Sequence, residues 1–424
     1  MSEPSPEAQA LPAWLTHLPR VFHHRNYRLF YAGQAITLIG TWIQTVALSW
    51  LVYRLTGSVF LLGIVSFVSQ APIFFITPFA GMIADRHDRR TVFMVTRALS
   101  MLQSAVLTLL TLTGNIEVNS IVVLALLLGI ITAVETPVRQ SFTIDMVGRE
   151  DLRQAIAFNA MLFNLARTVG PAVGGVIVAV LGEGLCFLLN TISYGAVLTS
   201  LFLMRLESRV TRPASHPWDD LIQGFRYVTR HPHIRMVLFL SAVCSCFGTS
   251  FLALMPAFAQ DILHEGADGL GYVISGFGVG AVSGAVLVSR LPERHLALTP
   301  TIMAVLLGVS LIVFANTQSL AFALLFVVPT GLGYLGIAVS SNTQVQTLSD
   351  DAMLGRVMAF YAMGALGSPP LGALLLGYIS DLIGVPNAFM LSGAICLVAA
   401  GISLVSLRRR GLVPKRAIAE VQEP

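Results

Sequence analysis

Glu135 and Arg139 stand one helical turn apart in an otherwise apolar stretch, with Pro137 between them. A carboxylate and a guanidinium at that spacing can pair, and the proline removes one N–H from the local backbone ladder. Desolvation favours a neutral acid, whereas an adjacent cation favours the carboxylate. A group that takes up and releases a proton needs that opposition, so Glu135 is the best single carboxylate for proton coupling. A snorkelling ion pair at a membrane interface accounts for the two residues equally well. A second cluster lies in Gly81-Met82-Ile83-Ala84-Asp85-Arg86-His87-Asp88-Arg89-Arg90, between two apolar runs. Its order, a glycine one turn before an acid and basic residues on both sides of His87-Asp88, exceeds what a charge cluster that sets topology requires. A third candidate is Arg167, inside a long apolar run. An arginine in mid-membrane needs a partner; an anionic substrate group, Glu135 or a backbone carbonyl would serve.

Other chemistry is missing from the sequence. There is no glycine loop with lysine for phosphate, no H-E-x-x-H metal pair and no G-x-S-x-G nucleophile elbow. Cys186, Cys244, Cys246 and Cys396 all fall in apolar segments. Cys244 and Cys246 are about 200° apart around a helix and cannot share a metal from one face. Neither an enzyme, nor a metal site, nor a cofactor is expected.

The elements that position these residues are set by composition. The 424 residues are 55% hydrophobic and 11% charged, with a mean hydropathy of +0.76, whereas ordinary soluble domains carry about 25% charged residues. Twelve apolar segments reach the ~20 residues needed to span a bilayer: roughly 27–54, 58–83, 91–113, 119–140, 152–182, 184–204, 234–258, 267–290, 298–315, 319–341, 352–379 and 385–407. Lipid leaves their backbone groups no partner outside the segment, so they are helices. Apart from Arg54 and Arg167, the basic residues fall at the termini, in even-to-odd connections or at the helix ends beside them. By the positive-inside rule both termini are expected in the cytoplasm. The net charge of +4 is then a topology signal and calls for no nucleic acid. The first 26 residues lack an apolar core, so no cleaved signal peptide is expected.

Polar residues recur on one face of four spans. The first carries Gln34, Thr37, Thr41 and Gln44, and the fourth carries Thr132, Glu135, Thr136 and Arg139. The seventh carries Ser241, Ser245 and Thr249, and the tenth carries Thr330, Tyr334, Ser341 and Gln344. Hydrogen bonding between helices explains any one stripe, at about 0.6–2 kcal/mol per contact. Four stripes at a period of three spans fit a shared water-filled path better, with Asn159 of the fifth span as a further lining candidate. In the fifth span, Ala166, Gly170 and Gly174 form a flat face, and Pro171 permits a bend.

The chain also repeats. Ala157-Phe158-Asn159-Ala160-Met161 recurs as Ala359-Phe360-Tyr361-Ala362-Met363, offset by 202 residues, as do Gly129, Gly170 and Gly175 as Gly331, Gly372 and Gly377. Asp85-Arg86-His87 recurs as Glu293-Arg294-His295, offset by 208. Parallel repeats imply a pseudo-twofold axis along the membrane normal, with binding near the midplane between the halves. The expected organisation is an N-terminal segment (1–26), a six-helix bundle (27–204), a linker with an amphipathic piece from Trp218 to Tyr227 (205–233), a second bundle (234–407) and a tail (408–424).

The Gly81–Arg90 stretch resembles the major facilitator signature G-x-x-x-D-R-x-G-R-R: Gly81, Asp85, Arg86, Arg89 and Arg90 match, and Asp88 replaces the usual glycine. The resemblance implies a conformational latch in which Asp85 faces the helix beginning near Met353. Ala166-Arg167-Thr168-Val169-Gly170-Pro171-Ala172-Val173-Gly174-Gly175 resembles the exporter motif G-x-x-x-G-P-x-x-G-G, with only the first glycine replaced. Gly148-Arg149-Glu150-Asp151-Leu152-Arg153-Gln154-Ala155 and Met353-Leu354-Gly355-Arg356-Val357 resemble the branch holding the enterobactin exporter and macrolide efflux pumps. What this implies is a multi-pass protein of a bacterial inner membrane that exports a small amphiphile, siderophore or drug-like, by alternating access and proton antiport. A lysophospholipid flippase, or a non-transporting sensor or assembly partner, are the alternatives. The expected partners are a small-molecule substrate, protons and the bilayer, around a monomer.

Overall fold

Backbone groups that cannot reach water must bond within their own segment, and the computed structural model is helical almost throughout. It describes residues 19–86, 88–204, 217–350 and 353–409, and of these all side chains except 74, 77–86, 217–221, 293–294 and 366. The first six spans are α1 (Arg25–Thr56), α2 (Val59–Arg86), α3 (Arg89–Leu112), α4 (Val118–Val147), α5 (Leu152–Leu181) and α6 (Glu183–Leu203). Helix α7 (Pro217–Arg230) follows, and covers the amphipathic piece expected there. The second set is α8 (Pro232–Gly248), α9 (Met255–Ala257), α10 (Ala267–Ser289), the short α11 (Glu293–Leu296), α12 (Thr299–Ala315), α13 (Leu320–Leu348), α14 (Leu354–Gly367), α15 (Pro369–Ile383) and α16 (Val385–Arg409).

Two spans are broken. The seventh runs from Pro232 to Ile262 through a 3₁₀ turn at Ser250–Leu254, α9 and a π turn at Phe258–Ile262. The eleventh changes from α14 to α15 at Ser368, before Pro369-Pro370, where the missing N–H groups interrupt the ladder. The breaks interlock: Ser250 Oγ donates to the Pro369 carbonyl at 2.9 Å, and Ser368 Oγ to that of Ala242 at 3.1 Å.

The packing is repeated. In the first set α1 packs on α5 and α6, α2 on α4, and α3 on α4 and α6; in the second α8 packs on α14, α15 and α16, α10 on α13, and α12 on α13 and α16. The two sets meet along two seams, α5 against α10 and α2 against α15. A half-turn that carries the fifth span onto the eleventh and the eighth onto the second exchanges these seams, as a pseudo-twofold axis requires. The fold is thus an all-α membrane architecture of twelve spans in two related six-helix bundles.

Both seams depend on backbones that nearly touch. A Cβ added to Gly175 would lie 2.3 Å from the Ala267 carbonyl oxygen and 3.0 Å from Gly271 Cα; one added to Gly63 would lie 2.7 Å from the Ala373 carbonyl oxygen. These contacts lie in the half of the molecule away from the chain termini. At the same end Tyr53 donates its hydroxyl hydrogen to the Asp261 carboxylate, joining α1 to the π turn. Gly175→Val should part α5 from α10 there. Spin labels on the exposed residues 180 and 272 should then report a longer separation than in the unsubstituted protein; an unchanged distance distribution would refute this.

Helix α3 shows how the faces are divided. Arg97, Ser100, Ser104 and Thr108 point inward and are buried, whereas Leu99, Leu102, Val106 and Leu109 are exposed, as a lipid-facing row must be. Asp88 caps α3, accepting from the Thr91 N–H at 2.9 Å and its hydroxyl at 2.6 Å. Asp88→Ala should cost about 0.5–2 kcal/mol and Asp88→Gly only a few tenths, read as a thermal unfolding midpoint in detergent.

Candidate transport site

The expectation that Glu135 pairs with Arg139 is corrected. Glu135 Oε1 instead lies 2.7 Å from Arg97 Nη2, with both side chains buried. The Arg97 guanidinium also sits over the Phe93 and Tyr194 rings, at 5.2 and 5.8 Å from their centroids, and Nη2 reaches Gln34 Oε1 at 3.4 Å. Arg97 departs from the expectation that basic residues other than Arg54 and Arg167 lie at helix ends or outside the spans: it is eight residues inside α3, more than two turns at 3.6 residues per turn. The cost of an arginine at that depth was the signal that could have found it.

With Glu135 engaged elsewhere, Arg139 faces a cavity of about 520 Å³ between α1, α4 and α5, near the end that carries the chain termini. Gln34, Thr143 and Asn159 add polar groups to its wall, and Phe30, Leu38, Ile144, Ile156 and Phe163 supply apolar surface. The Arg139 side chain makes no hydrogen bond or ion pair among the described residues. Asn159 Oδ1 is held by the Tyr27 hydroxyl at 3.2 Å. Three expected lining residues, Gln34, Arg139 and Asn159, therefore meet at one cavity, with the Arg97–Glu135 pair beside Gln34.

Arg167 and Tyr334 are also brought together. The Arg167 guanidinium lies 5.7 Å from the centroid of the Phe277 ring on α10, and the Tyr334 ring lies 5.8 Å from the same ring. Arg167 Nε and Nη2 are buried without a hydrogen-bond partner. The exporter-like segment around Arg167 serves two neighbours. Gly170 and Gly174 press on α1 at Trp42 and Ile43, whereas Pro171 and Gly175 press on α10 at Gly271 and Ala267.

Other expected lining residues belong to helix packing. Thr37 Oγ1 donates to the Ser193 carbonyl at 2.8 Å, and Gln44 Oε1 accepts from Ser104 Oγ at 2.8 Å and Asn190 Nδ2 at 2.7 Å. Both side chains are buried between helices, where a polar group must find a protein partner because no water reaches it. Gln344 Nε2 donates to the Leu296 carbonyl, and Ser241, Ser245 and Ser341 are buried. Thr41 and Thr132 donate to carbonyls one turn back on their own helices, at 2.8 Å each.

At the terminal end, Arg89 Nη1 lies 3.0 Å from both carboxylate oxygens of Asp145. Asp145 belongs to the last turn of α4, which runs past the expected end of the fourth span near residue 140. Arg90 donates to the carbonyls of Leu201 and Phe202, satisfying the open end of α6. The Asp85 and Arg86 side chains lie outside the described residues. At the opposite end Arg54 Nε bonds Glu183 Oε1 at 2.7 Å.

The architecture matches solved transporters. One is a POT family transporter in complex with a thioalcohol-conjugated peptide, 14% identical, with a TM-score of 0.72 over 92% of this chain and 97% of that one. Another is a bacterial homologue of the human lysosomal transporter Spinster, inward-facing and unoccupied, 14% identical, with a TM-score of 0.69 over 92% and 97%. Among sequence relatives, the staphyloferrin A transporter of Staphylococcus aureus is 27% identical, over 87% of this chain and 94% of that one. The enterobactin exporter EntS of Shigella boydii is 25% identical, over 96% and 98%. The multidrug efflux pump Tap of Mycobacterium tuberculosis is 27% identical, over 91% and 94%. The family described as transmembrane secretion effector matches residues 19–418. The chain belongs to that family and is a multi-pass membrane transporter of the major facilitator superfamily, resembling its enterobactin-exporter and efflux branch.

Proposed function

We propose that the protein exports a small amphiphilic molecule, siderophore or drug-like, across the bacterial cytoplasmic membrane by alternating access coupled to proton entry. The observation that carries this reading is the buried Arg97–Glu135 pair next to a cavity that Arg139 faces. A carboxylate in that position can be neutralised by a proton without exposing a charge to lipid. Protonation weakens its hold on Arg97, and so links proton binding to the packing of α3 against α4. Arg167, on the seam between the bundles, holds an anionic group of the cargo.

With both termini in the cytoplasm, the arrangement described is the one open to the cytoplasm and shut on the far side. The bundles, residues 27–204 and 234–407, rock about the seams. On closure of the terminal end Asp85, Arg86, Arg89 and Arg90 act as the latch.

The test starts from growth susceptibility and spent-medium metabolites of a strain lacking the gene. The compound so found is then followed in proteoliposomes with and without a pH gradient. Flux that needs the gradient and stops when nigericin collapses it is the expected result. Flux indifferent to the gradient would remove proton coupling, and a strain with no export phenotype would remove the export reading.

A further inference from the structure

More than two turns from either end of the described spans, the interior holds the guanidiniums of Arg97, Arg139 and Arg167 but one carboxylate, that of Glu135. Arg97 takes that carboxylate at 2.7 Å. Arg167 rests on an aromatic face, with Nε and Nη2 lacking partners. Arg139 faces the cavity without an ion pair. An excess of guanidinium in a low-dielectric interior is costly unless an anion accompanies it. The described protein residues supply none beyond Glu135.

The shape and chemistry of the cavity narrow the choice. Its wall has one cation, no carboxylate, three neutral polar side chains besides Gln140, and otherwise apolar groups such as Phe30, Leu38 and Phe163. A planar guanidinium at the edge of an apolar pocket matches a carboxylate on a hydrocarbon body, which it can hold through two parallel N–H···O bonds. An organic cation would meet the Arg139 charge with no carboxylate in the cavity wall to bind it. A neutral amphiphile would leave Arg139 desolvated and unpaired.

We infer that the cavity between α1, α4 and α5 is an anion-selective subsite, in which Arg139 binds the carboxylate of an amphiphilic organic acid. This rests on the transport reading for its purpose but not for its measurement, because binding is read without any gradient. The Arg97–Glu135 pair has a part in it: Arg97 binds Glu135 directly at 2.7 Å, so the neighbouring acid acts on Arg139 through its field alone and forms no ion pair with it. Glu135 thereby controls whether the subsite is charged, without touching the ligand.

The experiment uses the full chain in phosphatidylcholine nanodiscs, with radiolabelled octanoate as the probe and octanamide as its neutral competitor. Octanoate should bind at least about tenfold more tightly than octanamide, the scale of one charge-assisted hydrogen bond. Arg139→Gln should remove that preference, and Arg139→Lys should keep part of it. Arg97→Gln should also reduce it, since Glu135 is then released toward Arg139. Equal binding of acid and amide by the unsubstituted protein, which depends on no variant folding, would overturn the inference. So would an octanoate preference that survives in a folded Arg139→Gln protein. Nanodiscs containing phosphatidylglycerol form the third arm. If that lipid displaces octanoate, the site is a lipid-headgroup site and the assignment to cargo fails. A failed flux experiment with intact octanoate selectivity would reject the transport reading and leave the subsite standing.

Discussion

Glu135→Gln should abolish gradient-driven efflux while leaving binding of the exported compound within a few-fold of the unsubstituted protein. Glutamine keeps the size and the hydrogen-bonding oxygen of the acid, so Arg97 retains a neutral partner at the position where Oε1 now lies 2.7 Å away. What is lost is the ability to exist in two charge states. A carrier coupled to protons then loses its drive, although exchange of compound down its own gradient persists. Counterflow and gradient-driven flux in the same proteoliposomes separate the two. Undiminished gradient-driven efflux in Glu135→Gln would remove this residue from the mechanism. A loss of counterflow as well would mean that the substitution damaged the fold or the binding site.

Arg97→Met should give the largest loss of stability. Both partners are buried, and removing one leaves an uncompensated carboxylate in the interior, which costs about 3–5 kcal/mol. The double variant Arg97→Met/Glu135→Leu should recover most of the loss, because replacing both partners of a buried pair with apolar groups is often neutral. Unfolding in detergent measures both. Equal stability of the single and double variants would show that the pair carries no such penalty. The comparison also tests Arg139: if it takes over Glu135 when Arg97 is gone, the single variant will lose less than expected and its cavity will lose its anion preference together with that gain.

Much of the fold was legible before any coordinates. Segments such as 119–140 and 385–407 are apolar over most of their length, and a membrane-spanning helix is the arrangement that satisfies their backbone within the segment. The glycine face of the fifth span announced close packing, and both of its neighbours, α1 and α10, use it. The matched glycines at an offset of 202 foretold a repeat, and the exchange of the two seams under a half-turn is its three-dimensional form. The broken seventh span was not legible. Between Ser250 and Ile262 nothing but Pro256 would forbid a regular helix, and the turn there is held from outside by packing and by the Tyr53–Asp261 contact.

The polar stripes misled in an instructive way. Gln34, Thr37, Thr41 and Gln44 do share one side of α1, as a 3-4-3 spacing requires. Gln34 reaches the cavity wall, but Thr37 and Gln44 are turned into α6 and α3. The stripe on α3, from Arg97 through Ser100 and Ser104 to Thr108, is as regular as those on the first, fourth, seventh and tenth spans. It buries the arginine on which the site depends.

Alone, then, the order of residues settled how many times the chain crosses, that its crossings are helical, and which residues share a side of each. It could do so because lipid imposes the same demand on every segment independently of the others. What a shared side looks toward, be it water, a neighbouring helix or an opposite charge, was decided only when twelve helices packed. That choice depends on residues far apart in the chain, and it is why Glu135 has Arg97 beside it while Arg139, its nearer cation in sequence, is left facing the cavity.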